Sequence, residues 1–142
     1  MPFIRLTISG QEDQGLAAAC AKKISQLTQD LLNKNPGVTA ITVDFMPDHL
    51  WFVNSCSLAE LQKKSFHLVI KVSDSTNLKP EKAAYIEAVH VALEALLGNL
   101  HPVSYTAIEE MKADAYGYSG STIEFKLISN KIMHDLGNNP NQ

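Results

Sequence analysis

Proline stands at position 2, directly ahead of Phe3-Ile4-Arg5-Leu6-Thr7-Ile8, a run of apolar and β-branched residues that reads as a strand. Once Met1 is removed, this proline carries a secondary amine at the end of a buried element. An ordinary α-amino group titrates at about 7.7–8.0, and burial in an apolar pocket or a nearby cation disfavours its charged form. An amine held neutral near pH 7 meets the condition for a general base. With Met1 in place the nitrogen is an amide, and Pro2 is a strand opener with no chemistry. Other reactive residues are dispersed. His49, His67, His90, His101 and His134 show no HxxxH or HxH spacing, so a zinc site has little support. Cys20 and Cys56 form no Cys-x-x-Cys and no disulfide framework. Glu109 and Glu110 are neighbours on a strand and point to opposite faces, which argues against an acid/base pair.

The elements that position Pro2 follow a plan that occurs twice. The first strand closes at Ser9-Gly10. From about Asp13, Leu16, Cys20, Ile24, Leu27 and Leu31 recur at helical spacing, with Lys22, Lys23, Gln26, Gln29 and Asp30 on other faces. That helix stops at Asn33-Lys34-Asn35-Pro36-Gly37, and Val38 to Met46 follows as a strand in which Ile41, Val43 and Phe45 alternate with Thr42 and Asp44. The second copy begins with the strand Phe66 to Val72 and a loop from Ser73 to Asn77. A helix then runs from Pro80 in its first turn to a cap at Gly98, with Tyr85, Val89, Ala92, Leu93 and Leu96 as its apolar face, and a strand spans about Val103 to Met111. Phe3 matches Phe66 at an offset of 63, and Val38 and Met46 match Val103 and Met111 at an offset of 65, so a two-residue indel separates the copies.

A helix crossing back over a sheet makes its two flanking strands parallel. Two such units predict an α/β two-layer sandwich of duplicated βαβ units, with a four-stranded sheet and two helices on one face. The expected organisation is one domain over 1–142, with pseudo-repeats at about 2–57 and 65–125 and a tail at 126–142. The bare sheet face is expected to carry exposed apolar side chains, which oligomerisation would cover. Ile123, Leu127, Ile128, Ile132 and Leu136 predict a short helix in the tail, with a frayed polar end after it.

Composition narrows the function classes. A formal charge of −3, 45% apolar residues and no basic run argue against partnership with nucleic acid or an anionic membrane. No apolar stretch approaches the roughly 18 residues that span a bilayer, no signal peptide is evident, and two unpaired thiols fit a reducing compartment, so a cytoplasmic protein is expected.

Met1-Pro2-Phe3-Ile4, Val43-Asp44-Phe45-Met46-Pro47-Asp48-His49-Leu50 and the segment from Tyr105 to Thr122 resemble the tautomerase superfamily. The arrangement is that of its macrophage migration inhibitory factor-like members, with an echo of the 4-oxalocrotonate tautomerase-like ones in Glu110-Met111-Lys112 and Tyr116-Gly117-Tyr118. The resemblance covers about residues 2 to 125. It implies a homotrimer whose sheets wrap into a barrel, with sites between subunits. There an amino-terminal proline moves a proton within a keto–enol pair of a small molecule, without metal or organic cofactor. It implies Pro2 as catalytic base and Lys34, with a one-residue shift, as ligand of a substrate carboxylate. Val69 would supply a backbone donor, Tyr105 would reach across the interface, and Tyr116, Tyr118 and Ile123 would form an apolar wall. Proton abstraction beside a carbonyl needs these parts: a neutral base, a wall that keeps it neutral and a donor for the enolate oxygen. Ala107 stands where the pattern has Asn, and Arg5 is the sole arginine. A substrate with two carboxylates is therefore disfavoured, and a small α-keto acid or phenylpyruvate-like compound is expected. The rival reading is a catalytically silent binding or structural protein on the same scaffold. Asp44 and Cys56 receive no role.

Overall fold

The computed structural model describes residues 1–138. Its elements are β1 (Phe3–Ser9), α1 (Gln14–Leu32), β2 (Ala40–Met46), β3 (Phe52–Val53), β4 (Cys56–Ser57), α2 (Leu58–Leu61), β5 (Phe66–Ser73), α3 (Lys79–Leu97), β6 (Tyr105–Met111), β7 (Gly117–Tyr118), β8 (Ser121–Thr122) and α4 (Ile123–Gly137). The main sheet has the order β2-β1-β5-β6, parallel within each βαβ unit and antiparallel where β1 meets β5. This is the expected architecture, a four-stranded sheet with α1 and α3 packed together on one face. β3 pairs with β4 and β7 with β8 as two short hairpins that periodicity did not reveal. Two-residue strands are too short to show an alternation.

Local chemistry sets the helix ends. Asp13 Oδ1 accepts the Leu16 N–H at 3.0 Å and opens α1, and Asn33 closes it in the left-handed region at φ 54°. Pro80 lies in the first turn of α3, where the Glu81 carboxylate accepts the Leu78 N–H at 2.6 Å, and Gly98 at φ 68° ends the helix. β2 begins two residues later than expected, because Pro36–Val38 form a 3₁₀ turn capped by Asn35.

The core lies between the sheet and the two helices. Ile4, Leu6 and Ile8 of β1 and Phe66, Leu68 and Ile70 of β5 are fully buried against Cys20, Ile24, Tyr85, Val89 and Leu93. Each such aliphatic side chain stabilises the fold by about 1.5–3 kcal/mol. Tyr85 carries a hydroxyl into this core, and it is satisfied at 2.9 Å by Thr28 Oγ1, itself a donor to the Ile24 carbonyl at 2.7 Å. Burial pushes the Tyr85 phenol up to about 12, partly offset by the Thr28 bond. Leu96, expected on the buried face of α3, is exposed instead.

The far face of the sheet is mixed: Phe3, Met46 and Tyr105 are exposed on it, as expected, but polar and charged residues stand among them. Across it Phe3 stands beside Ala40 and Lys71, Arg5 beside Thr42 and Val69, and Thr7 beside Asp44 and His67. The alternation that buries Ile4, Leu6 and Ile8 sends Arg5 and Thr7 outward, and Arg5 Nη2 pairs with Asp44 Oδ2 at 2.9 Å. Exposed apolar groups also gather on α4, where Phe125, Leu127, Ile128, Ile132, Met133 and Leu136 are all open and only Ile123 is buried. At 15 residues α4 is longer than the short helix expected, and most of the polar end lies outside the described residues. No helix among the described residues is long and apolar enough to cross a membrane.

Candidate active site

Three stretches distant in sequence meet at the start of β1. Pro2 is buried, and its carbonyl accepts the Ala40 N–H at 3.2 Å, which fixes it against the beginning of β2. The left-handed turn at Asn33 sends Lys34 back over this corner, and the β5–α3 loop covers it from the other side. Asn77 Nδ2 ties that loop to the last turn of α1 by donating to the Leu32 carbonyl at 3.0 Å. The result is a cleft of about 250 Å³ bounded by Met1, Pro2, the turn Asn33–Asn35, Val72, Ser73 and Thr76.

Its polar groups are few and distinctive. Lys34 Nζ donates to Thr76 Oγ1 at 2.9 Å, and Thr76 Oγ1 donates in turn to the Ser73 carbonyl at 2.6 Å. No carboxylate lies within ion-pair reach of Lys34 among the described residues. Burial lowers its pKa, and the more distant Glu81 charge acts in the opposite sense. Ser73 Oγ is buried and has no hydrogen-bond partner among the described residues. An unpaired buried hydroxyl costs about 1–3 kcal/mol, which a bound polar ligand could recover. The Met1 amine at the cleft is pushed down to about 6, first by burial and then by the Lys34 charge.

Tyr116 completes the corner. Its hydroxyl accepts the Phe3 N–H at 3.0 Å and donates to the Met1 carbonyl at 3.0 Å. The resemblance implies an apolar-wall role for Tyr116, but its polar end faces Pro2. The segment is held by the Ile123 N–H, which donates to the Tyr116 carbonyl at 2.8 Å, and by close packing at Gly117. A Cβ on Gly117 would stand 2.1 Å from the Ser121 carbonyl oxygen. Gly117→Ala is therefore expected to force the β7–β8 hairpin apart and to cost about 1–3 kcal/mol, read as a lowered midpoint in chemical denaturation. An unchanged midpoint would show that the hairpin yields without loss.

The remaining expected site residues lie elsewhere on the chain. Val69 is in mid-strand between Arg5 and Ala107, so its N–H belongs to the sheet ladder. Tyr105 begins β6 beside His67 and is 65% exposed. Tyr118 is open to solvent, with Lys126 Nζ 4.1 Å from its ring centre, and Ile123 is fully buried. Within one chain, then, Pro2, Lys34 and Tyr116 come together and the other four do not join them. Ser73 and Thr76 were missed, since a hydroxyl at the last position of a strand or in a loop carries no spacing signal. Arg5 and Asp44 occupy each other on the far face. Burial by itself would raise the Asp44 pKa, but hydrogen bonds from Thr7 and Arg5, with the Arg5 charge, hold it below the usual carboxylate range. Glu110 pairs with Lys82 of α3, whereas Glu109 points to the far side beside Lys71. A larger cleft of about 710 Å³ opens at the opposite end of β1, around Gly10–Gln14 and Pro47. Of the three carboxylates that line it, Asp13 is engaged by the α1 cap and Asp44 by Arg5, and Glu12 lies beside them.

No family model matches the chain, and no curated protein does. Solved structures do. Native fused 4-OT superposes with a TM-score of 0.76 at 14% identity, over 87% of this chain and 97% of its own. A wild-type fused 4-OT symmetric trimer gives 0.74 at 14% identity, over 86% and 96%. The macrophage migration inhibitory factor-like protein from Entamoeba histolytica gives 0.70 at 21% identity, over 85% and 97%. The chain has the fold of the tautomerase superfamily. Its single chain carries two βαβ units, β1-α1-β2 and β5-α3-β6.

Proposed function

We propose that this chain is a cofactor-independent tautomerase that moves a proton between the keto and enol forms of a small α-keto acid or phenylpyruvate-like compound. Pro2, exposed by removal of Met1, is the general base. The observation that carries this reading is the corner at Pro2, where burial and the Lys34 charge already push an amine down to about 6. That amine belongs to Met1, and the Pro2 amine uncovered at the same corner is expected to be lowered for the same reasons, which favours the neutral form that accepts a proton from carbon. Lys34 then holds a substrate carboxylate, as a half-buried ammonium whose hydrogen-bond partner is neutral can. Two similar structures are wild-type fused 4-OT trimers, one symmetric and one asymmetric, and we assign a homotrimer here too. In that trimer a neighbour's Tyr105, exposed at the start of β6, reaches across to close the cleft. Cys20 and Cys56 are both unpaired, which is consistent with the cytoplasm.

One observation favours the silent reading. The sole arginine is bound to Asp44, so the cleft has Lys34 as its cation and no bidentate clamp. Intact mass and an enol–keto assay on the same untagged sample decide between the two. The protein without Met1 is expected to ketonise phenylpyruvate enol and to be silent when Met1 is retained. It should also gain the mass of one 2-oxo-3-pentynoate, the compound that inactivates the structurally similar Pt0534. Inactivity of the cleaved protein across several enols, with no adduct at Pro2, would leave the scaffold without the proposed chemistry.

A further inference from the structure

The Tyr116 hydroxyl touches both peptide groups that flank Pro2. It takes the Phe3 N–H at 3.0 Å and gives its proton to the Met1 carbonyl at 3.0 Å, with the Lys71 carbonyl a second acceptor at 3.4 Å. The ring is set by the hairpin and the first turn of α4, not by a loose loop, because Ile123 N–H and Glu124 N–H bind the carbonyls of Tyr116 and Ala113 at 2.8 and 3.0 Å.

Removing Met1 deletes one of these partners and uncovers an amine next to it. A peptide nitrogen lies about 2.3 Å from the oxygen of its own carbonyl, so the hydroxyl oxygen is within about 5 Å of Pro2 N before any adjustment. The Lys71 carbonyl remains to accept the Tyr116 proton. The oxygen, which already receives the Phe3 N–H, has a further lone-pair site. A neutral secondary amine offers one N–H and one lone pair.

We propose that Tyr116 is the positioning residue of Pro2: its oxygen takes the amine N–H and so turns the amine lone pair into the cleft, toward Lys34. The inference rests on the reading of Pro2 as a base. In the reaction the lone pair takes a proton from the carbon beside the carbonyl, and the nitrogen becomes an ammonium with two N–H bonds. One stays on Tyr116 and the other proton goes to the product. Tyr116 itself exchanges none. The charged groups around the amine are Lys34 from the end of α1, with Glu81 of α3 near it, and Lys71 of β5, which pairs with Phe3 and Glu109.

Tyr116→Phe keeps the ring and removes the oxygen. Its kcat on phenylpyruvate enol is expected to fall about tenfold with KM little changed, since orientation and not binding is lost. The acid limb of the pH profile should move down by about 0.5–1 pH unit, because an oxygen acceptor favours the ammonium over the amine. The same displacement should appear without substrate when the Pro2 amine, labelled with ¹⁵N, is titrated by NMR. Should Tyr116→Phe not fold, 3-fluorotyrosine at Tyr116 weakens the acceptor and should displace the titration in the same direction by less. Coincident amine titrations in wild type and variant would overturn the positioning role. Absence of Pro2-dependent turnover in the wild type would instead overturn the tautomerase reading, and the NMR titration distinguishes the two.

Discussion

Replacing Pro2 by alanine in the protein without Met1 is expected to lower kcat/KM for enol–keto exchange by about 10²- to 10⁴-fold, the usual contribution of a positioned general base. Alanine also presents an amine, so the loss measures position more than the presence of nitrogen. The pyrrolidine ring fixes φ and the direction of the lone pair, whereas a primary amine on alanine rotates freely. The wild-type pH profile carries the sign. A protonated amine cannot abstract a proton, so kcat/KM should rise tenfold per pH unit below the amine pKa and flatten above it. Burial and then the Lys34 charge lower the Met1 amine at the same corner, and the same causes are expected to put the bend below the ordinary α-amino range. Rates measured from about pH 4.5 to 8.5 check this. A flat profile, or equal rates in Pro2→Ala, would exclude Pro2 as the base.

The fold was legible because its signals are long. Seven-residue strands and 19-residue helices give several turns of one period, and the duplication states the plan twice. The hairpins β3–β4 and β7–β8 were not legible, since two residues define no period. The polar share of the far face was visible but not weighed: Arg5 and Thr7 alternate with Ile4, Leu6 and Ile8, and Asp44 alternates with Val43 and Phe45, beside the exposed Phe3, Met46 and Tyr105.

The site divides on the same physical ground. Pro2 and Lys34 lie near the ends of regular elements, and both were legible as candidates. Ser73 and Thr76 owe their place to a loop held by Asn77, through a bond spanning two elements. The hydroxyl of Tyr116 reaches Phe3 only because Gly117 lets β7 approach Ser121 closely. Such pairings across the whole chain are tertiary facts, and no local pattern encodes them.

Lys34→Ala is expected to raise KM for a carboxylated enol by about 10- to 100-fold and to leave kcat within about threefold. The ammonium has Thr76 Oγ1 as its hydrogen-bond partner at 2.9 Å, a neutral group, and burial lowers its pKa. A cation so placed lacks a counter-ion, and a substrate carboxylate would supply one. Charge-assisted hydrogen bonds contribute about 1.5–3 kcal/mol, which sets the size of the effect. Esterifying the substrate should abolish the KM difference between wild type and variant, because the group that Lys34 binds is then gone. A second readout follows from the same charge. Lys34 helps to hold the neighbouring amine low, so its removal should move the acid limb to higher pH, opposite to the effect of Tyr116→Phe. Lys34→Arg keeps the charge and should keep the limb in place. An unchanged KM for the carboxylated enol in Lys34→Ala would remove Lys34 from substrate binding, and an unmoved limb would remove it from the electrostatics of the amine.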